Sequence, residues 1–197
     1  MAIRDLLWVC PLCHGALEPR GRGDRCAACG ASFARGRGDR IIARRSTGEE
    51  MIRPAAAWLD TLPSPVPADG PVVAGPERVR VKLAADQVKP VFHRRELIGW
   101  VECFGKPAQG SLSLDQEALT FAVEGWGRSV PLEQLTAIQP SSSSLQLRTS
   151  NGTVASVRFM ESSVLRWEIL LQEAVRRRWT ALGRGRVIEF QPRIACR

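Results

Sequence analysis

The chain of 197 residues contains no tyrosine, two histidines, three methionines and three lysines. These shortages narrow the chemistry. No phenol is available as acid or nucleophile, and His14 and His93 are few for a histidine-based site. Neither a G-x-S-x-G nucleophile elbow nor a G-x-x-x-x-G-K phosphate loop occurs. The acidic residues are scattered, without the paired carboxylates that acid–base catalysis uses. Together these absences point away from an enzyme. No run of eighteen apolar residues is present, so no transmembrane helix is expected. The opening, Met1-Ala-Ile-Arg-Asp-Leu-Leu-Trp-Val-Cys10, has no long apolar stretch and no small-residue cleavage site, so no signal peptide is expected.

What the chain does have is cysteine in a telling pattern. Cys10-Pro-Leu-Cys13 and Cys26-Ala-Ala-Cys29 are separated by twelve residues. Each C-x-x-C bends the backbone so that two sulfurs converge, and two such turns complete a four-thiolate shell, the usual home of Zn²⁺. Pro11 stiffens the first turn. Gly15 and Gly30 follow the pairs, where the turn calls for a residue tolerant of positive φ. Four thiolates leave no vacancy for water or substrate, so the expected site is structural, not catalytic. His14 touches the motif, but four ligands are already supplied. Thiols poised for metal suit a reducing compartment, so the expected location is cytoplasmic, with peripheral attachment to a membrane left open. Of the two remaining cysteines, Cys103 is expected as a small core residue, and Cys196 has no evident partner.

The stretch Leu6-Leu-Trp-Val-Cys-Pro-Leu-Cys-His-Gly15, with Leu17, Cys26-Ala-Ala-Cys-Gly30 and Phe33, resembles the zinc ribbon of the small activator subunit of RNA methyltransferases. That ribbon also opens some methyltransferases. The resemblance implies a role as activator of a partner enzyme. Where that family usually has Gly-Ile-Pro after the last knuckle, this chain reads Gly38-Asp-Arg-Ile-Ile42.

The net charge of +8 is unevenly placed. Residues 1–53 carry +4, residues 54–175 carry −2 and residues 176–197 carry +6. Basic ends attract nucleic acid or anionic lipid, although a solvated surface explains them equally well. The pentapeptide Gly21-Arg-Gly-Asp-Arg25 recurs as Gly36-Arg-Gly-Asp-Arg40, and Gly-Asp suits tight hairpin turns.

Three regions are expected. Residues 1–45 form the ribbon. Residues 46–76 form a short helix and a linker: Thr47 with Glu50 reads as a capping box, Met51, Ala55, Trp58, Leu59 and Leu62 share a face, and five prolines stand in positions 63–76. Pro54 allows the helix to start later, near Arg53. From residue 77 the apolar period becomes two. Strands are expected at 77–83, 97–104, 110–114, 118–124, 128–132, 135–139, 144–149 and 153–160, with Asn151-Gly152 as a hairpin turn. Ser162 or Ser163 caps a final helix to about Leu182, with Val164, Trp167, Leu171, Ala174, Val175 and Leu182 on one stripe. A further strand is read over Arg186–Phe190, pairing with 77–83. Antiparallel strands followed by one amphipathic helix give an α+β antiparallel barrel over 77–197.

The same order resembles a pleckstrin-homology barrel, and residues 89–182 are similar to its GRAM branch. The similarity runs through Gly110-Ser-Leu-Ser-Leu114, Leu119-Thr-Phe121, Val130-Pro-Leu132, Leu135, Ile138, Leu145-Gln-Leu-Arg-Thr149, Gly152, Phe159 and Trp167. The resemblance implies lipid or protein binding. The loop Phe104–Gln109 holds one basic residue, however, where phosphoinositide binders of that family carry several.

Two surface candidates remain. Trp126, between Gly125 and Gly127, is placed at a hairpin tip, where it either anchors a partner or membrane or folds back on its own hairpin. Arg176, Arg177 and Arg178, with Arg184 and Arg186, form a basic patch or a solvated helix end. The reading is a non-enzymatic zinc-binding adaptor for a protein partner, acting in the cytosol or at a membrane. The runner-up is nucleic-acid binding through the basic ribbon and C-terminus.

Overall fold

The computed structural model describes residues 3–21, 23–141 and 143–184. Nearest the N-terminus, a 3-10 turn at Ile3–Asp5 precedes five short strands: β1 Leu17–Arg20, β2 Gly23–Cys26, β3 Ser32–Arg35, β4 Arg40–Arg44 and β5 Glu50–Pro54. They pair in chain order as one antiparallel meander. Both copies of the repeated pentapeptide make hairpin turns, but in different frames. In the first, Gly21 takes the positive φ and Asp24 is already buried in β2; in the second, Gly38 takes it and Asp39 stays exposed. Identical sequence thus gives two geometries, set by which neighbouring strands must register.

The helix expected over 46–62 is only α1, Ala55–Leu59. Residues 50–54 are instead β5, paired with β4 from Arg44↔Glu50 to Arg40↔Pro54. The capping box at Thr47 and Glu50 is overridden by a turn, with Gly48 at φ 89° and the Arg45 and Glu49 main chains bonded at 2.8 Å. Pro54 then begins the helix, where its missing N–H is no loss. The apolar face expected from this segment does form. Trp58 is 1% exposed, its Nε1 donates to the Ile41 carbonyl at 3.2 Å, and its ring meets Phe33 edge-on at 6.1 Å. Met51, Ala55, Leu59 and Leu62 pack around the same core.

The second sheet has eight strands: β6 Ala74–His93, β7 Glu96–Phe104, β8 Ala108–Leu114, β9 Ala118–Val123, β10 Trp126–Pro131, β11 Leu135–Pro140, β12 Leu145–Thr149 and β13 Val154–Phe159. Seven run in the order β10-β9-β8-β6-β13-β12-β11 and curl into a half-barrel. Helix α2, Val164–Ala181, packs on β11 and on the 3-10 turn Leu132–Gln134. Alternate residues point into one core, in which Trp167 stacks on Phe159 at 5.2 Å. The predicted helix stripe is buried, together with Leu170, but Leu182 lies beyond the helix end and is exposed.

The strand expected at 97–104 is not a wall of this barrel. β6 is 20 residues long. Its first half pairs with both β8 and β13; its second half pairs only with β7. Gly105 N–H bonds the Leu83 carbonyl at 2.9 Å and returns the chain to the barrel. Everything between is a two-stranded arm. Cys103, at its base, is half-buried instead of sitting in the core. Arg186–Phe190 lies outside the described residues, and both edges of 77–83 are already occupied by β8 and β13.

The proline-rich stretch, expected as an extended spacer, lies on the barrel. Val72 is 3% exposed within the barrel core, Val66 packs against it, and Arg177 donates to the Gly70 and Pro67 carbonyls at 2.7 and 3.1 Å. The two cores also touch through one hydroxyl. Ser163 Oγ accepts from Arg166 N–H at 3.2 Å, capping α2, and donates to the Asp5 carbonyl at 2.8 Å. Loss of such a cap costs about 0.5–2 kcal/mol. Ser163→Ala should therefore lower the unfolding free energy by about 1 kcal/mol or slightly more, since the half-buried Asp5 carbonyl also loses its donor; a thermal melt indistinguishable from wild type would show that water replaces both bonds.

Candidate metal centre

Two backbone knuckles build the site, related by a shift of sixteen residues along the chain. In the first, Cys10 N–H bonds the Gly15 carbonyl and His14 N–H bonds the Cys10 carbonyl, both at 2.8 Å. In the second, Cys26 N–H bonds the Ala31 carbonyl at 2.8 Å and Gly30 N–H bonds the Cys26 carbonyl at 3.1 Å. Amides turn inward as well: Leu12 N–H points at Cys10 Sγ and Cys29 N–H at Cys26 Sγ, each at 3.4 Å. The residue after each second cysteine is left-handed, Gly30 at φ 73° and His14 at φ 60°.

That equivalence corrects the role of Gly15. It is His14, not Gly15, that carries the positive φ. Gly15 is required for space: a Cβ there would lie 2.8 Å from Ala28 Cβ and 3.2 Å from Cys26 Sγ. The first knuckle presses on the second at this point, which is why a side chain is excluded. His14 is not among the converging ligands. Its ring is exposed, with Nε2 at 3.3 Å from the Thr61 carbonyl.

The four sulfurs of Cys10, Cys13, Cys26 and Cys29 lie within 4.8 Å of one another. Cys10 and Cys29 sulfurs are 3.7 Å apart, and those of Cys13 and Cys26 are 3.4 Å apart. A tetrahedral ion with metal–sulfur bonds of ~2.3 Å spaces its ligands about 3.8 Å apart. The cluster therefore fits a four-thiolate metal ion with little adjustment.

The thiols are not equivalent. Burial pushes Cys10 up to about 12, against the amide donations of Leu12 and Cys13. Burial also raises Cys26, but bonds from the Cys29 and Ala28 amides and the neighbouring thiols outweigh it and bring Cys26 down to about 7. Cys29 is raised, chiefly by burial. Cys26 is thus the thiolate available near neutral pH, while a proton on Cys10 must be displaced by the cation. Metal binding at such a site releases protons and weakens in acid.

The other sequence-predicted residues are placed differently from one another. Trp126 is half-buried at the start of β10; its ring lies 5.7 Å from Phe121 and folds back on the hairpin. It lines a cavity of about 290 Å³ at the barrel mouth, together with Leu83, Val130 and Leu147. Among the basic residues of α2, Arg176 and Arg177 both pair with Glu173, the latter at 2.6 Å. Arg178 reaches Glu133 at 3.2 Å and Glu117 at 3.4 Å. Glu133 is held below the usual carboxylate range, first by its own amide N–H and then by Arg178, working against burial. Arg184 is exposed just past the helix, and Arg186 lies outside the described residues. Arg177 therefore fastens α2 to the linker and Arg178 fastens it to the barrel, while Arg176 pairs within the helix. Sequence reasoning missed these acceptors because Glu117, Glu133 and the Gly70 and Pro67 carbonyls are distant in the chain.

It also missed the apolar arm. Val91, Phe92, Leu97 and Ile98 are exposed near its end. The signal was present as two apolar doublets, which cannot hide on one face of an alternating strand.

Compared with known proteins, the chain matches no protein-family model and no curated protein.

The geometry predicts that Gly15→Val forces the knuckles apart and weakens metal retention, measured by release to a chromophoric chelator. Retention in the wild type should fall as pH is lowered, because protons then compete for Cys10 and Cys29. A Gly15→Val chain that holds metal as firmly as wild type would show that the knuckles have room to spread.

Proposed function

We infer that the protein is a non-enzymatic adaptor that holds one structural Zn²⁺ at Cys10, Cys13, Cys26 and Cys29 and engages a protein partner through its ribbon and a pleckstrin-homology/GRAM-like barrel. The convergence of four sulfurs carries the reading. An all-cysteine donor set is the usual choice of zinc, and it closes the tetrahedron that catalytic zinc leaves open. The bound ion would fix the two knuckles in register, so that the ribbon presents a rigid surface. The barrel assignment is supported by seven meandering strands in the order β10-β9-β8-β6-β13-β12-β11 followed by one packed helix. Barrels of this kind bind peptides at open edges or beside the helix, and here β10 and β11 are the two ends of the strand order.

One observation favours the second reading, nucleic-acid binding. Arg20, Arg35, Arg37 and Arg40 sit at the hairpin ends of the ribbon, exposed and without a carboxylate partner among the described residues. Such arginines suit a phosphate backbone.

Metal analysis of the purified full chain should give close to one zinc per molecule. The zinc-loaded chain should capture a protein from native lysate, and Cys10→Ser with Cys29→Ser should lose both metal and capture. Capture that survives metal loss would remove the ribbon from the interface. Retention of RNA or DNA in place of protein, weakening steeply with salt and reduced by Arg37→Ser with Arg40→Ser, would move the assignment to the second reading.

A further inference from the structure

The arm formed by the outer half of β6 with β7 is built unlike the rest of the protein. A two-stranded ribbon is at best marginal alone in water. This one carries large apolar side chains that stand open among the described residues: Phe92 is 60% exposed, Ile98 62%, Leu97 52% and Val91 37%. Phe92 pairs directly with Leu97, so these two share a face. Val91, adjacent to Phe92 in the strand, points to the other face, opposite Gly99. The apolar surface therefore wraps the ribbon. A protein groove covers one face of a ribbon, whereas a fluid apolar medium meets both.

The turn beyond this collar is basic. His93-Arg94-Arg95 closes the hairpin, with Arg94 at φ 45° and Arg95 at φ 74°. Turns of this handedness normally take Asn-Gly, and two charged L-residues there carry backbone strain. Neither arginine has an ion-pair partner among the described residues, unlike the arginines of α2. Strain is thus tolerated at a position where two guanidinium groups project freely just ahead of an apolar collar.

We propose that the arm docks shallowly into an anionic lipid bilayer, with Phe92, Leu97, Ile98 and Val91 at the boundary of headgroups and acyl chains and Arg94 and Arg95 on lipid phosphates. Elements that lie in the interface reach roughly 5–10 Å into it. The long apolar stems of the arginines allow their charges to bend back to the phosphate level from the inserted turn. No described helix is long and apolar enough to cross a membrane, so attachment by the arm is peripheral. This goes beyond the functional reading, which names a protein partner, and leaves the sulfur cluster untouched, so its failure and that of the zinc assignment are separable.

The test is sedimentation of the zinc-loaded full chain with vesicles of phosphatidylserine in phosphatidylcholine, against phosphatidylcholine alone. The wild type should pellet with the anionic vesicles and weaken with salt. Phe92→Ser with Ile98→Ser should lower partitioning by about tenfold or more, since two apolar side chains no longer leave water. Arg94→Asn with Arg95→Gly keeps the turn geometry and should abolish the preference for phosphatidylserine. Both variants should retain zinc and melt no lower than the wild type, because the altered side chains are exposed and Asn-Gly suits the turn. Three results would overturn the proposal: no pelleting of the wild type with anionic vesicles, pelleting unchanged in both variants, or a wild-type dimer in solution that Phe92→Ser with Ile98→Ser converts to monomer.

Discussion

The convergence of four sulfurs is the constraint on which the N-terminal half depends, because site and core there are one object. Its buried cluster comprises Ile3, Leu7, Cys10, Cys26, Ala31, Phe33, Ile41, Ala43 and Trp58. Two of these, Cys10 and Cys26, belong to the sulfur cluster, and Ala31 supplies the carbonyl that closes the second knuckle. A core with so few large side chains cannot outweigh the conformational entropy of five short strands. Structural zinc contributes about 10–16 kcal/mol in modules of this type. The burial that raises Cys10 to about 12 disfavours a bare thiolate and is offset only when a cation is present. The same burial that completes the core therefore favours a cation beside Cys10.

Where local chemistry decides, the sequence was readable. Two C-x-x-C pairs force convergence through the geometry of their own turns. Alternation at Val79, Val81, Leu112 and Leu114 sets which face of a strand is buried, and Ser163 sits where a cap must. Prediction failed where the outcome depends on a distant partner. Thr47 and Glu50 make a sound capping box, but the free edge of β4 offers five residues of pairing and wins. Gly15 and Gly30 look equivalent after their cysteines, yet one is selected for φ and the other for the 2.8 Å approach of Ala28. The length of β6 was hidden because its outer half has no regular alternation; only the return of Gly105 to Leu83 shows that the chain has left the barrel and come back.

Charge was the least legible property, because a net count does not distinguish structural arginines from free ones. The run Arg176–Arg178 read in sequence as either a basic patch or a solvated helix end. Its three members fan around α2, as a step of about 100° per residue requires: Arg176 and Arg177 share Glu173, Arg177 also reaches the Gly70 and Pro67 carbonyls, and Arg178 turns to Glu117 and Glu133. Arg94 and Arg95 drew less notice in sequence, and they stand in a strained turn without an ion-pair partner among the described residues. Isolated surface ion pairs are worth about 0–1 kcal/mol. The α2 arginines are better viewed as positioning devices that lay the linker along the helix than as large contributors to stability.

The two cores meet most directly at Ser163. The turn Ile3–Asp5 is held to the ribbon by Asp24, whose carboxylate accepts from Arg4 N–H at 3.1 Å, and by Ile3 and Leu7 in the ribbon core. Its Asp5 carbonyl then accepts from Ser163 at the start of α2. A net hydrogen bond is worth about 0.5–1.5 kcal/mol. That is small beside what a metal at the four sulfurs would contribute and small beside the barrel core, where each fully buried large side chain contributes about 1.5–3 kcal/mol. Loss of metal would therefore reach the barrel through this contact only as the removal of one acceptor, and Ser163 would still cap Arg166. A link of this size orients the ribbon on the end of α2 without making the helix depend on the ion. A metal held by the four sulfurs would set the shape of the N-terminal sheet, and the hydroxyl sets where that shape is presented.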